Sequence, residues 1–189
     1  MLASKNDLFN TAYEIASNKI SEWEYFEDKK LVIANCNELC LKDLSEFYEK
    51  RYFNFDAGVH GADCMYLENE TPLRFAVYVD SALVGYVVGA VNYEQKALEV
   101  FYTEPSNFYN SKGLLPWMFF VNQILCWIKV SLNEVEDAGI NKIALTNPVT
   151  DSIMILRGMG YEFEREYRGS TSAIILHINS ELLDSIWCR

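Results

Sequence analysis

The segment between Leu98 and Tyr161 combines an apolar strand, a polar loop with one glycine, a long apolar helix and a second strand. The strand pattern covers Leu98–Pro105, the loop covers Ser106–Leu115, and Pro116 suits the first turn of the helix. A strand that passes through such a loop into a helix start points unpaired backbone N–H groups at one place. These donors predict a place where a phosphate can bind.

Composition and charge limit the class of protein. The chain has 189 residues, half of them apolar, which fits one domain with a sizeable core. A net charge of −11 disfavours binding to nucleic-acid phosphates, and it suits either a cationic partner or plain solubility. The longest apolar run, Ala82–Val91, is too short for a membrane span, and the first residues lack a secretory pattern. We therefore expect a soluble, cytoplasmic protein that binds neither nucleic acid nor membranes.

The cysteines and histidines do not form a recognisable metal or redox motif. The five cysteines include no CxxC pair and are expected to be reduced and mostly buried. His60 and Cys64 could form half of a metal site, but the chain has only two histidines and no partner pair, so we expect no metal. Cys126 lies in the apolar helix pattern, which favours packing over nucleophilic catalysis.

Apolar periodicity predicts the elements that position the phosphate loop. The first half contains two helices, residues 7–26 and Glu38–Tyr52, around a strand at Leu31–Ala34, followed by a loop over residues 53–72. Three strands on short turns then follow as antiparallel neighbours, at Arg74–Val79, Leu83–Asn92 and Ala97–Thr103.

The second half starts with the strongest helix pattern, Pro116–Ala138, which Gly139 ends. The strand Asn141–Thr146 is reached through that helix, so it should lie parallel to the strand that ends at Thr103. A short helix, a hairpin and a terminal helical turn complete the chain: Thr150–Met159, Tyr161–Arg168 with Thr171–Ile178, and Glu181–Trp187. This order predicts an α/β domain around a mixed, mainly antiparallel sheet flanked by helices.

Four segments resemble the GCN5-related N-acetyltransferase (GNAT) family: Leu83–Gly89, Asn110–Leu115, Asn141–Asn147 and Ile155–Tyr161. They are similar to the family's third strand, its pyrophosphate loop (Q/R-x-x-G-x-G/A), its fifth strand and the end of its fourth helix. The resemblance implies a GNAT-like domain over residues 31–189, preceded by an extra N-terminal helical extension over residues 1–30 that packs on it.

The resemblance also implies a ligand, acetyl-coenzyme A, held between two parallel strands that splay apart. The backbone of Phe101 and Thr103 would contact the acyl-carrying arm of the ligand. Asn147 matches an asparagine often found near the start of the fourth helix. A role as a cap or turn residue before Pro148 fits Asn147 equally. The loop that would meet the diphosphate consists of Asn110, Ser111, Lys112, Gly113, Leu114 and Leu115. This loop departs from the family pattern at Asn110 and at the branched Leu115.

The resemblance assigns two catalytic positions. Glu99 corresponds to the glutamate that serves as general base in some members, and its apolar neighbours would raise its pKa; the alternative is a solvated residue on the outer face of its strand. The tyrosine that protonates the leaving thiolate is replaced by Leu156, and Tyr102 could substitute for it.

The resemblance implies an acetyl-coenzyme A-dependent N-acetyltransferase that acts on a small-molecule or peptide amine. The negative net charge favours a cationic acceptor. We expect a monomer or homodimer. The alternative is a catalytically inactive GNAT-like binding module.

Overall fold

The fold is built around one sheet. The computed structural model describes residues 5–23, 26–49, 70–107, 117–136, 138–148, 150–169 and 171–178. The strands in this part of the chain are β1 (Leu31–Asn35), β2 (Glu70–Val79), β3 (Ala82–Asn92), β4 (Ala97–Pro105), β5 (Lys142–Thr146), β6 (Glu162–Arg168) and β7 (Thr171–His177). They form a seven-stranded sheet in the order β1-β2-β3-β4-β5-β7-β6. Only β4 and β5 are parallel among these neighbours, which confirms the predicted mixed, mainly antiparallel sheet.

Four helices of the described chain cover the sheet: α1 (Lys5–Ser21), α2 (Glu38–Glu49), α3 (Trp117–Glu136) and α4 (Thr150–Gly158). Alternate strand residues face opposite sides. Leu98 and Val100 of β4 join the main apolar core with α1 and α3, whereas Val88 of β3 joins a smaller cluster with Leu44 of α2. The two faces are called the α3 face and the α2 face below. Glu99 lies between Leu98 and Val100, and so belongs to the α2 face.

The first helix is shorter than the predicted 7–26. It ends at Ser21, and Trp23 and Phe26 donate their N–H groups to Ile20 O and Trp23 O in tight turns. Phe26 is buried, with its ring centroid 5.5 Å from that of Phe120 of α3. The chain leaves the helix because this turn places Phe26 in the core, which burial of an aromatic ring stabilises.

The strands β2 and β4 are longer than predicted. Residues 70–72 belong to β2 rather than to the predicted loop 53–72, because they pair with Ala90–Asn92 of β3. Pro72 is tolerated there because β1 pairs only with Phe75–Val79, so the other side of Pro72 needs no N–H donor. β4 continues past Thr103 to Pro105, which lies opposite Gly85.

Two of the predicted chain reversals have left-handed backbone conformations. Asp80 and Ser81 connect β2 to β3 with φ of 50° and 67°, as a two-residue hairpin turn with positive φ at both positions requires. Gly139 follows α3 with φ of 64°, and the Asn133 side chain bonds both Ile140 N and Ile140 O at 2.8 Å, which closes the connection to β5.

The second helix is described from Glu38 to Glu49, so the remaining residues of the predicted helix, like the predicted terminal turn, lie outside the described residues.

A β-bulge in β4 depends on a glycine. Val88 is opposite Tyr102 and Gly89 is opposite Val100, so Phe101 is the additional residue. A Cβ atom built on Gly89 would lie 2.0 Å from the backbone oxygen of Glu99. Only glycine fits this close approach of the two strands.

We predict that Gly89→Ala lowers the free energy of unfolding by about 1–3 kcal/mol, the usual cost of overpacking an interior position. Gly158→Ala is the matched control, because a Cβ there meets no described atom within 4 Å. The control should be neutral or stabilising by about 0.5 kcal/mol. Urea unfolding measures both; equal stability of the two variants would show that the bulge tolerates a side chain.

Candidate active site

The parallel pair β4 and β5 separates within the sheet. Their register runs from Ala97 and Lys142 to Val100 and Leu145, and β4 then continues to Pro105. Beyond the last pair, Thr146 Oγ1 donates to Val100 O over 3.4 Å. The predicted parallel pairing is therefore confirmed, and the register ends at the bulge of β4.

The start of α3 is fixed beside the end of β4. Trp117 Nε1 donates to Thr103 Oγ1 at 2.8 Å, and the Thr103 hydroxyl donates to Tyr86 O at 2.9 Å. A Cβ on Gly85 would lie 2.3 Å from the Trp117 ring, so glycine leaves the room that the indole occupies. The first described turn of α3 carries no acidic residue, which leaves its positive dipole end uncompensated by a side chain of that turn.

Glu99 is completely buried, with 0% of its surface exposed. Asn92 Nδ2 and the Tyr167 hydroxyl donate to Glu99 Oε1 at 2.9 and 3.0 Å, and Arg168 Nη1 donates to Glu99 Oε2 at 2.7 Å. The alternative of a solvated Glu99 is therefore wrong. The residue faces the α2 side of the sheet, but other side chains cover it.

A second carboxylate shares the same guanidinium. Arg168 Nη2 lies 2.6 Å from Glu70 Oε1, and both Glu70 and Glu99 have side chains with 0% exposure, against 21% for Arg168. Asn92 Nδ2 also reaches Glu70 Oε1 at 3.3 Å. We call Glu70, Asn92, Glu99, Tyr167 and Arg168 the carboxylate cluster.

Small residues allow the β6–β7 hairpin to reach Glu99 across the sheet. The residues opposite Glu99 are Ala90 on β3 and Ala144 on β5. Tyr167 packs on Ala144 and on Ala173 of β7, where the β6 register shifts between Glu164 and Arg168. Side chains directly opposite each other share a face, so two alanines leave the space that the phenol needs.

The Tyr167 ring also contacts a cation. Lys142 Nζ lies 5.2 Å from the centroid of the Tyr167 ring, a cation–π distance. Lys142 stands two positions before Ala144 on β5 and so shares its face. The Tyr167 ring therefore packs on alanines and carries an ammonium group over its face.

Burial has the largest effect on the ionisation of this cluster. It raises the pKa of Glu99 above its usual value, while the Arg168 charge and the Tyr167 hydrogen bond oppose the rise. Burial and the nearby Glu99 carboxylate raise the pKa of Tyr167, so the phenol keeps its proton and donates it to Glu99. The cluster thus holds a carboxylate that accepts a proton more readily than an exposed one.

Tyr102 belongs to another group of side chains on the α2 face. Its hydroxyl donates to Glu104 Oε2 at 2.9 Å, Tyr86 donates to the same oxygen at 3.4 Å, and the two rings lie 5.7 Å apart. Burial, followed by the interaction with Glu104, raises the pKa of Tyr102. Tyr102 is therefore a protonated phenol paired with a carboxylate.

The structure places three further predicted residues around the separation of β4 and β5. Phe101 is half-buried at the bulge, and Thr103 is bonded to Trp117 as described. Asn147 is exposed at the end of β5 with φ of 49°, and its N–H donates to Ser172 O at 2.9 Å. Outside the described residues lie the predicted loop, Asn110, Ser111, Lys112, Gly113, Leu114 and Leu115, and the pair His60 and Cys64.

Sequence reasoning missed the partners of Glu99. Asn92 could have been found, because strand alternation across the short turn between β3 and β4 puts Asn92 and Glu99 on one face. Glu70 lies in the loop predicted over residues 53–72, for which the sequence indicates no sheet face. Tyr167 and Arg168 approach from β6, which is not a neighbour of β4, and no local pattern indicates that.

Comparisons with known proteins add information on the fold. No protein-family model and no curated protein matches the chain. A mutant form of the spermidine/spermine N-acetyltransferase from Vibrio cholerae is similar in structure, with 16% identity, 82% of this chain and 97% of that chain covered, and a TM-score of 0.53. The spermidine N-acetyltransferase from the same organism has 17% identity and a TM-score of 0.52, with 82% of this chain and 98% of that chain covered. An acetyltransferase from Salmonella typhimurium that modifies the N-terminal serine of ribosomal protein L7/L12 has 10% identity and a TM-score of 0.51, with 79% of this chain and 95% of that chain covered.

The chain has the GNAT fold. In this GNAT fold, Leu156 of α4 is 1% exposed and lies in the apolar core, so it contributes packing and no proton. Cys126 of α3 is buried in the same core, as predicted. None of the described helices is long and apolar enough to cross a membrane.

We predict that Arg168→Met lowers the free energy of unfolding near neutral pH by about 3 kcal/mol, because two buried carboxylates lose their shared cation. Loss of that charge raises the pKa of Glu99 further, so the folded variant holds a proton that the unfolded chain releases. The deficit should therefore grow as the pH rises above the usual carboxyl range and shrink in mild acid.

Urea unfolding at several pH values measures this dependence. Arg165→Met is the control, since Arg165 is exposed on β6 and should change stability by less than about 0.5 kcal/mol. A deficit that does not vary with pH would contradict the assignment of Arg168 as the counter-ion of Glu99.

Proposed function

We propose that the chain is an N-acyltransferase of the GNAT family, which moves an acetyl group from acetyl-coenzyme A to the amine of an acceptor. The observation that carries this proposal is the position of Glu99, a buried carboxylate directly before the last paired residues of β4 and β5, Val100 and Leu145. A proton acceptor thus lies where the two parallel strands separate. The similarity in fold to N-acetyltransferases supports the same function.

The residues around the separation suit an acyl-coenzyme A ligand. The backbone of Phe101 and Thr103 lies on the part of β4 beyond the β4–β5 register, where an extended pantetheine arm could pair with it. Asn147 lies at the end of β5 on the other side, and the first described turn of α3 has no acidic group to repel a diphosphate. When bound, acetyl-coenzyme A supplies the acetyl group as a thioester.

We assign the diphosphate to the loop before α3. Its backbone N–H groups would point at the anion, and Lys112 would add a positive charge. The residues of this assignment are Asn110, Ser111, Lys112, Gly113, Leu114 and Leu115.

Glu99 would accept the proton that the acceptor amine loses as it attacks. A carboxylate has about four lone-pair positions, and Asn92, Tyr167 and Arg168 occupy three of them. The raised pKa brings Glu99 closer to the range in which a carboxylate is an effective base. Tyr167 and Arg168 act as positioning residues, because they orient the carboxylate and set its pKa.

Tyr102 is the proposed donor of a proton to the leaving sulfur. Its raised pKa keeps the phenol protonated, and Glu104 Oε2 holds the hydroxyl at 2.9 Å. Leu156 cannot serve, because its side chain lies in the apolar core.

The acceptor is expected to be a cationic amine. The net charge of −11 favours such a partner through long-range attraction. The structures similar to this chain include enzymes named for spermidine and for the N-terminal serine of a ribosomal protein, so a polyamine or a peptide amine is the class to test first. We expect the protein to act in the cytoplasm as a monomer or homodimer, without nucleic acid or membrane.

One observation favours a second candidate, a GNAT-shaped binding module without catalysis. Glu99 has 0% exposure and is paired with Arg168, an arrangement that a purely structural carboxylate also shows. In that case the cluster would hold the β6–β7 hairpin on the sheet, and the protein would turn over no thioester.

We predict that calorimetric titration with acetyl-coenzyme A shows binding, and that Gly113→Asp weakens it at least about tenfold through clash and charge repulsion with the diphosphate. Gly158→Asp places the same change at an exposed position of α4 and should leave the affinity unaltered. Absence of heat and of any thermal shift with the native chain at saturating ligand would defeat the acyltransferase proposal. Equal affinity of Gly113→Asp and native protein would move the diphosphate to another loop.

We predict that Glu99→Gln lowers kcat by about 100-fold with spermidine or a serine-initiated peptide as acceptor, the usual contribution of a general base. Its affinity for acetyl-coenzyme A should stay within about twofold, because Glu99 is not among the residues assigned to that ligand. In the native enzyme kcat/KM should rise with pH as Glu99 loses its proton, at a pH above the usual carboxyl range because its pKa is raised.

Glu94→Gln, an exposed change in the turn between β3 and β4, is the control for turnover. Unfolding curves confirm that each variant is folded before its rate is compared. A Glu99→Gln enzyme that keeps both the native rate and the native pH profile would remove Glu99 from catalysis and favour the binding module or another base.

A further inference from the structure

Two cysteine thiols meet at the start of α2. The sulfur atoms of Cys36 and Cys40 are 3.3 Å apart. Both backbones are anchored, since Cys36 N donates to Arg74 O at 3.1 Å and Cys40 N donates to the capping Asn37 Oδ1 at 3.0 Å. Because the pair follows β1 directly, it connects the end of that strand to the first turn of α2.

The surroundings divide the roles of the two thiols. Cys40 is 4% exposed, whereas Cys36 is half-buried, so Cys36 is the more exposed residue of the pair. Hydrogen bonds from Cys36 and Tyr78 lower the pKa of Cys40 against the effect of burial, and the same contact with Cys40 raises the pKa of Cys36. The two thiols are thus in direct contact at the positive end of α2.

We propose that Cys36 and Cys40 form a reversible dithiol–disulfide switch, because their sulfurs lie in contact between the end of β1 and the first turn of α2. The oxidant is a low-molecular-weight disulfide of the glutathione class. A disulfide needs an S–S distance of about 2.0 Å, so the two sulfurs must approach by little more than an ångström.

The reaction consists of two thiol–disulfide exchanges. First, the Cys36 thiol loses its proton and its Sγ bonds to one sulfur of oxidised glutathione; the S–S bond of glutathione breaks, and the first glutathione leaves as a thiolate that takes up this proton. The Cys40 thiol then loses its proton and its Sγ attacks Cys36 Sγ; the mixed disulfide breaks, and the second glutathione leaves as a thiolate that takes up the second proton. In total two protein thiols lose two electrons, and one oxidised glutathione becomes two reduced molecules.

The switch would act on the α2 face of the sheet. Tyr78, whose hydroxyl donates to Asp43 at 3.1 Å, also interacts with Cys40 and loses that thiol as a partner when the disulfide forms. Cys40 also packs in the cluster that contains Tyr86 and borders Tyr102. Oxidation would therefore fix the first turn of α2 against the cluster that borders Tyr102, the proposed proton donor.

Digestion with trypsin offers a direct test. Cleavage after Lys30 and Lys42 releases a peptide, Leu31–Lys42, that contains Cys36 and Cys40 and none of the other cysteines. The full native chain is incubated with oxidised glutathione, alkylated, digested and weighed by mass spectrometry. We expect this peptide to lose two hydrogens in mass and to resist alkylation, and reduced glutathione in excess should restore two alkylated cysteines.

Single variants separate the two steps. In Cys40→Ser the mixed disulfide of Cys36 cannot be resolved, so the peptide should carry one glutathione; in Cys36→Ser the buried Cys40 should react far more slowly. A native peptide that keeps two alkylatable thiols in oxidised glutathione, or that accumulates glutathione on Cys36, would overturn the proposal. Cross-linking of this peptide to one that contains Cys64, Cys126 or Cys188 would overturn it too.

Discussion

Charge compensation inside the sheet is the constraint on which the rest of this structure depends. Glu70 and Glu99 carry two buried carboxylates, and Arg168 provides the guanidinium that contacts both. Burying a carboxylate costs several kcal/mol unless a partner and hydrogen bonds compensate it, so the fold must bring β2, β4 and β6 to one place. Ala90 and Ala144 provide the room, and Tyr167 completes the donors to Glu99. Burial raises the pKa of Glu99 and the Arg168 charge opposes that rise, so a carboxylate with a raised pKa lies next to the separation of two strands.

The separation itself follows from steric fit around one glycine. Gly89 lets the backbone oxygen of Glu99 come closer than any side chain would permit, which places the additional residue Phe101 in β4. A bulge bends its strand and increases the local twist, so β4 turns away from β5 soon after Val100. Trp117 then fixes the start of α3 to Thr103 at the end of the bent strand. Neighbouring features of β4 therefore position Glu99, the separation of the strands and the start of α3.

Much of the fold could be predicted because its signals are local. The turn at Asp80 and Ser81, the apolar stripe of α3 and the crossover to β5 each depend on residues close in sequence. The abundance of Gly, Asp and Asn predicts a loop over residues 53–72, whereas residues 70–72 pair with β3, and the tolerance of Pro72 there depends on how far β1 extends. For Glu99, alternation indicates a face of the sheet but not whether another element covers that face. The cover comes from Tyr167 and Arg168 on a distant hairpin, so the burial and the ion pairs of Glu99 could not be foreseen.

The distance along the chain between Arg168 and Glu99, 69 residues, has a consequence for the order of folding. The β2–β3–β4 meander has short turns and low loop-closure entropy, so it can assemble early, with Glu70 and Glu99 still hydrated. The carboxylates leave water only when the β6–β7 hairpin docks across β5. The carboxylate cluster would thus be among the last parts of the molecule to form, and a nascent chain that has not yet emerged as far as Arg168 would carry a complete meander whose two carboxylates are still exposed to water.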